Sequence, residues 1–495
     1  MTFFQPFCLI MILALSFGCA ATKHHAFPDC DPASTQSEIL YDVNGNGVPD
    51  FALKADDSNH LSLLAYDDDE DGRYDRIYNI NDYATETVPH LIIILDSVPY
   101  QCVLDKYSAG SFPWFPPPQK VIAPFPSLTD ISFNRLVHAP PRAGTNNRYY
   151  DHRIHRMSTS YMAQMQGAKR EWEYYIDYST SFFTMGLGFM KPREIYPDEI
   201  KQIKQALDQN LNRVTIAYPA SSAGMVCKFG RQGAYECLDG VERLCLQLLW
   251  ERRGAINISI LSDHGHNLMA SEFISLKNIL NDAGFTVRDT IESASDIVMD
   301  SEGLVNYSGI HTMRPSTVAD VLLKVPQTQL TLYMAGDRVM VRNAMGSATI
   351  EKKGGKLRYV PIDVDVLGYQ PVMDALKASG KMDAEGFASD EAWFSQTADH
   401  EWPDAPAQIW KAFHGMVVCT PDLMVTLHDG YHTGFSLFES MIDMASVHGG
   451  LNQINTAAFL LSTTGRAIRP LRTRDVLRTL EPDYVPAIRY NKGID

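Results

Sequence analysis

Three apolar runs constrain this chain more than any other feature: HLIIILDSV (90–98), RVTIAYPA (213–220) and AINISILSDHG (255–265). Each is almost unbroken in aliphatic residues and lacks polar alternation, which suits strands buried on both faces, as in a parallel sheet. Helical patterns lie between them, PDEIKQIKQALDQNL (197–211) and YECLDGVERLCLQLLWERR (235–253). Buried strands alternating with helices predict an α/β fold, a mostly parallel sheet with helices on both faces. A chain of 495 residues has length for such a core and an appendage as well.

Two of the runs stop at acids, Asp96 and Asp263, and the second continues into His264. Polar residues at the carboxyl ends of strands line the ligand crevice of an open α/β sheet. An acid after five apolar residues suits a ligand, although capping the next turn would also suit it. Two carboxylates and one imidazole match zinc or manganese, with a coordination position to spare.

The segments IIILDSV (92–98), FPSLT (125–129), GTNNRYYD (144–151), LSDHGHN (261–267) and HGGLN (448–452) occur in an order and spacing that resembles the alkaline phosphatase superfamily. The nearest branch is the type I phosphodiesterase/nucleotide pyrophosphatase family, and the resemblance covers roughly residues 88–480. It implies a hydrolase of small-molecule phosphate esters. Thr129 would be the nucleophile, with Asp96, Asp263 and His264 (and the Thr129 oxygen) around one metal. Asn147 would donate to a phosphoryl oxygen, and His448 would serve a second metal. The chemistry agrees: ester hydrolysis needs an activated nucleophile beside a cation that screens the phosphate charge.

The second metal of that family takes an Asp and a His from a D-x-x-x-H-x-x-G segment after an apolar strand. Here RVTIAYP is followed by ASSAGMVCKFG (220–230). With Gly230 as the closing glycine, Cys227 replaces the His and Ala223 the Asp, and a shifted register offers only Ser221 or Ser222. Cys227 suits a thiolate ligand to zinc, a small buried residue, or a disulfide partner of Cys237. Glu236 or Asp239 in the following helix are alternative ligands. His266 reads as a supporting or surface histidine. Three functions follow: a phosphoesterase with one or two ions, a degenerate relative that binds a phosphorylated or sulfated ligand without turnover, and a calcium-stiffened surface scaffold. The stretch around 350–406 reads as an insertion of strands and helix that caps the cleft. TPDLMVTLHDGYHTGF (420–435) resembles the family's strand before its last histidine, and STTGRAIRPLRTRDVLRTL (462–480) its closing strand, loop and helix.

Near the start, YDVNGNGVPD (41–50) and YDDDEDGRYD (66–75) repeat one pattern. Asp42, Asn44, Asn46 and Asp50 occupy loop positions 1, 3, 5 and 9 in the first; Asp67, Asp69, Asp71 and Asp75 do so in the second. Gly47 and Gly72 allow the turn. Alternate oxygen-bearing side chains of this kind suit calcium. Leu53 and Tyr78 stand at position 12, where an EF-hand has its glutamate, and the flanks read as strands. The pair resembles the D-x-D-x-D-G loops of bacterial surface β modules; solvated acidic turns are the plainer reading.

The apolar stretch 3–18 has signal-peptide length, and LSFGC resembles a lipoprotein cleavage site, with Cys19 as the lipidated residue. A short uncleaved anchor is the alternative. These features divide the chain into a signal (1–19), a linker (20–36), a calcium-binding β module (37–86) and a hydrolase domain (87–490). They imply an exported, periplasmic or cell-envelope protein that meets a membrane only through an N-terminal lipid. A net charge of -16 argues against a nucleic-acid binder.

Overall fold

The computed structural model describes residues 27–485 apart from 84–87, 161–162, 165, 167, 301–304, 435–445 and 467–468. The expected signal segment and Cys19 therefore lie outside the described residues. Among the described residues, no helix is long and apolar enough to cross a membrane.

The chain is mixed α/β, with several sheets. A seven-stranded sheet carries, in spatial order, Leu471–Arg472, Gln119–Ile122, Ala457–Ser462, Asn257–Ser262, His90–Leu95, Val214–Tyr218 and Tyr178–Ser179. The three apolar runs sit side by side in it and pair in parallel. Leu91, Ile93 and Leu95 face helices Tyr100–Ser108, Pro192–Gln209 and Ser221–Glu251. Ile92 and Ile94 face helices Thr129–Leu136 and Thr473–Leu480 on the other side. Both faces are dry, which is why the runs show no polar alternation, and each such buried aliphatic contributes about 1.5–3 kcal/mol. Ala457–Ser462 runs antiparallel to both of its neighbours, so the sheet is not parallel throughout.

A second large sheet departs from the expectation of one main sheet. It has nine strands, antiparallel except where Thr286–Val287 meets Asp296–Met299. Its meander Thr328–Ala335, Arg338–Arg342, Ser347–Lys353 and Lys356–Pro361 turns at Gly336-Asp337 and at Gly354-Gly355. Both glycines of the latter pair have positive φ (57° and 82°), the backbone that tight hairpins require. From 420–435, Leu423–Leu427 is a central strand of this sheet, while Tyr431–His432 pairs with Glu272–Phe273 in a separate two-stranded sheet.

The stretch 350–406 joins this sheet. Its strands extend the sheet edge, and Val372, Leu376, Trp393 and Ala405 on its helices share a core with Phe125, Leu128 and Ile131. It buttresses the Thr129 segment.

At the N-terminus, Glu38–Tyr41, Phe51–Lys54, Leu63–Tyr66 and Arg76–Asn79 form an antiparallel meander. Phe51 and Tyr66 stack, and Trp250 of the long helix packs against both, with ring centroids 6.0 and 5.9 Å away. The Tyr66 hydroxyl donates to the Leu249 carbonyl at 2.8 Å, and Arg253 pairs with Asp68 at 2.8 Å.

Candidate metal centre

Register creates the centre. Leu95 pairs with Ser262 in the parallel ladder, so the next residues, Asp96 and Asp263, emerge side by side. Ser97 then takes a left-handed backbone (φ 66°), a conformation that costs a non-glycine residue about 1–3 kcal/mol. In return its amide donates to Asp263 Oδ1 (3.1 Å) and its hydroxyl to Asp96 Oδ1 (2.8 Å). Tyr218, last residue of its strand, donates to Asp96 Oδ2 at 2.5 Å. Gly265 is required by space: a Cβ there would lie 2.2 Å from the Ile454 carbonyl oxygen.

Thr129 opens helix Thr129–Leu136 and is partly exposed, whereas Asp96, Asp263 and His264 are buried. Its Oγ1 lies 3.4 Å from Asp96 Oδ2 and 3.3 Å from His264 Nε2. His264 Nδ1 faces the Gly265 carbonyl at 2.9 Å, so it carries the proton and Nε2 presents a lone pair. That lone pair points at Asp263 Oδ2, 3.2 Å away, which accepts no hydrogen bond.

Burial, and then the neighbouring Asp96, pushes the Asp263 carboxyl well above its ordinary value. Burial also raises Asp96 against the hydrogen bond from Tyr218, and lowers His264 to about 4. Neutral imidazole and desolvated carboxylates pointing lone pairs at one another lack a shared positive charge. Ligands of a tetrahedral ion at 2.0–2.1 Å stand about 3.3 Å apart, and the three spacings here are 3.4, 3.3 and 3.2 Å. The donor set fits a zinc or manganese ion.

The second position is built differently. His448 Nδ1 faces the Ser127 carbonyl at 2.8 Å, leaving Nε2 as acceptor, and its ring stacks on His264 at 4.0 Å. Burial, then His264, lowers its imidazole to about 3. His266 is buried, which corrects the surface alternative for it, and its Nε2 lies 3.7 Å from Cys227 Sγ. Cys227 is unpaired, as is Cys237, and burial pushes its thiol up to about 12. The segment aligned with the family's second-metal ligands is the first part of helix Ser221–Glu251, broken at Gly230 by a positive φ of 56°. Its serines are occupied: Ser221 bonds Glu199, while Ser222 donates to the Pro219 carbonyl and accepts from the Asp96 amide. Glu236 pairs with Arg193 and Asp239 with Lys106, so neither reaches the centre.

Asn147 is wired to the Thr129 segment. Its Oδ1 accepts from Arg142 (2.9 Å), Gln164 (2.9 Å) and Ser160 (3.2 Å), which leaves Nδ2 as the donor it can offer. Arg142 also pairs with Asp130 at 2.6 Å, next to Thr129. Trp172 Nε1 donates to Asp130 at 2.7 Å, and Arg170 lies over the Trp172 ring. Burial alone would raise Asp130, but Arg142 and Arg170 hold it below its ordinary value. Tyr218, Arg142, Arg170 and Ser97 went unrecognised in the sequence. Only Tyr218 had a signal, its place at the end of an apolar run.

The two N-terminal loops share their wiring. Asp42 Oδ2 accepts from Gly47 N and Asp67 Oδ2 from Gly72 N, both at 2.8 Å. Asp50 accepts from Val43 N, and Asp75 from Asp68 N, both at 2.7 Å. Asn44 Oδ1 bonds the Asn46 amide, and Asn46 Nδ2 reaches across to Glu70 at 2.9 Å. Asp67, Asp69 and Asp71 each offer an oxygen within 4.8 Å of the others, and Asp71 and Asp75 raise the Asp69 carboxyl. Asp50 Oδ1 is buried and accepts no hydrogen bond.

Compared with known proteins, the chain matches no family model and no curated protein.

Proposed function

We propose that this chain is an exported, metal-dependent phosphoesterase with an alkaline-phosphatase-like core, acting on a small phosphate ester through Thr129. The observation that carries the reading is the meeting of Thr129 Oγ1, Asp96 Oδ2, His264 Nε2 and Asp263 Oδ2 at 3.2–3.4 Å spacings, with the Nε2 lone pair facing the unpartnered Asp263 Oδ2. Asp96, Asp263 and His264 would hold one zinc or manganese ion, whose positive charge lowers the hydroxyl pKa and screens the phosphate. Calcium would fill the N-terminal loops, and Cys19 would carry the lipid.

Thr129 attacks phosphorus, the ester oxygen leaves, and water then releases the phosphate from the threonine. The start of helix Thr129–Leu136 favours the developing negative charge. Asn147, with its carbonyl side held by three donors, offers an amide N–H to a phosphoryl oxygen. The Asp130–Arg142 pair fixes the distance between the two residues.

A second reading, ligand binding without turnover, draws on one observation: among the described residues, His448, His266 and Cys227 belong to no cluster of three or more ligating side chains. Two measurements separate the readings. A chain begun after Cys19 and purified in calcium is expected to carry about one transition-metal ion and to turn over phosphodiesters or monoesters. Thr129→Ala should lower turnover by at least about 1,000-fold while metal content and melting temperature stay put. Near-wild-type turnover in that variant would eliminate the nucleophile; no turnover of any ester by the metal-loaded chain would favour binding alone.

A further inference from the structure

A protein with net charge -16 gathers four cationic side chains around one cavity. A small cavity of about 30 Å³ opens between helices Thr129–Leu136, Ala405–Phe413 and Thr473–Leu480. Arg135, Lys411, Arg472 and Arg474 line it together with Asp404 and Gln408.

The carboxylates at its edge are already engaged. Arg472 takes both oxygens of Asp404 at 2.7 Å and Asp390 Oδ1 at 2.7 Å, and Gln408 adds a bond to Asp404 at 3.0 Å. Arg474 reaches Asp390 at 3.1 Å and Asp475 at 3.7 Å. Arg135 and Lys411 have no carboxylate within 4.0 Å among the described residues. Both are partly buried. Burial, then Arg474, holds Arg135 below its ordinary value; burial, then Arg135, Lys352 and Arg474, does the same for Lys411. Asp475 offsets the Arg135 charge only in part, and partly desolvated like charges held together repel one another.

We propose that this pocket binds a tetrahedral oxyanion, phosphate or sulfate, through Arg135, Lys411 and Arg474. Planar guanidinium groups and a lysine point charge are the donors such anions select. The volume matches about two waters, which suits an anionic head and excludes a large organic body. The first turn of helix Thr473–Leu480 adds amide dipoles of the right sign. Arg135 stands six residues after Thr129 on one helix, about 9 Å along its axis, so the site is separate from the metal centre. The inference does not rest on the phosphoesterase reading.

The test is calorimetric titration of metal-stripped full chain, kept in calcium chloride at constant ionic strength, with sodium sulfate. Removing the transition metal removes competing anion binding there. Wild type is expected to bind one sulfate, and Arg135→Gln combined with Lys411→Gln should weaken it at least about tenfold. Lys411→Gln alone serves if the double variant fails to fold, and Lys411→Arg should restore binding. Inorganic phosphate and a sugar phosphomonoester, titrated in the same way without calcium, divide the sources. Tighter binding of the monoester means that the pocket takes the end of a larger molecule; tighter binding of phosphate means a free anion. No heat from wild type, or equal affinity in wild type and the glutamine variants, overturns the proposal.

Discussion

Asp263→Asn should stabilise the metal-free protein and weaken its metal binding. Asp263 Oδ1 accepts from the Ser97 and His264 amides, so an asparagine must keep its carbonyl oxygen there. Its NH2 group then replaces Oδ2 and points at the His264 Nε2 lone pair, 3.2 Å from the atom it replaces. A buried oxygen without a partner becomes a donor with one, worth about 1–3 kcal/mol. Removing a buried carboxylate beside Asp96 acts in the same direction. We expect about 2 kcal/mol in all, or a melting temperature higher by a few degrees for a domain of this size. With metal the order reverses. Wild type at a zinc concentration about 1,000 times its Kd gains about 4 kcal/mol, and the variant should gain far less. The assay is thermal unfolding of both proteins, stripped of transition metal but kept in calcium, with and without added zinc. If the stripped variant melts lower than wild type, or if zinc raises both equally, Asp263 Oδ2 is not held open for a cation.

Three further outcomes are expected. Cys227→Ser should leave the tightly bound metal at about one per chain, because burial keeps the thiol protonated; a loss measured by elemental analysis would make the thiolate a ligand. Chelating calcium should lower the melting temperature, by the equivalent of about 2.7 kcal/mol relative to protein at 100 times the loop Kd, and restoring calcium but not magnesium should reverse it. Glu481 accepts from buried His90 (2.6 Å) and from Arg213; burial opposes ionisation, yet these bonds bring its carboxyl down to about 2. A carboxyl lowered in the folded state stabilises fully above its unfolded value near 4.5. That contribution, about 1–2 kcal/mol after solvent screening, should vanish as pH falls from about 4.5 to about 2. Denaturant midpoints of wild type and Glu481→Gln should differ at pH 6 and draw together as pH approaches about 2.

The sequence exposed the central strands because burial on both faces leaves an unmistakable run of aliphatic residues, and it exposed Asp96, Asp263 and His264 because they end those runs. Thr129 was legible only through its motif; nothing in its own neighbourhood distinguishes it from an ordinary helix-starting threonine. The nine-stranded sheet was missed although Gly354-Gly355 between two alternating runs announces a hairpin. The stretch after Tyr218 drew no helix prediction before residue 235 because serines and glycines dilute its periodicity, whereas Met225 and Val226 pack into the core from the start of a long helix. Arg142 was invisible as a site residue, and Tyr218 showed only its place at a strand end, since their partners lie 12 and 122 positions away, at Asp130 and Asp96.

The packing of Phe51 and Tyr66 on Trp250 gives the N-terminal module a standing that its sequence does not suggest. The break near residue 87 divides the chain in sequence but not in its hydrophobic interior, since Tyr41, Phe51 and Leu64 share one core with Leu91, Ile93 and Leu249. A protein begun at that break would leave Trp250 facing water and strip Arg253 of Asp68. Its failure would report a wound in the larger body, whatever the calcium loops do. Truncation and chelation therefore ask different questions of this molecule, and the module is better regarded as the outer wall of the core than as its passenger.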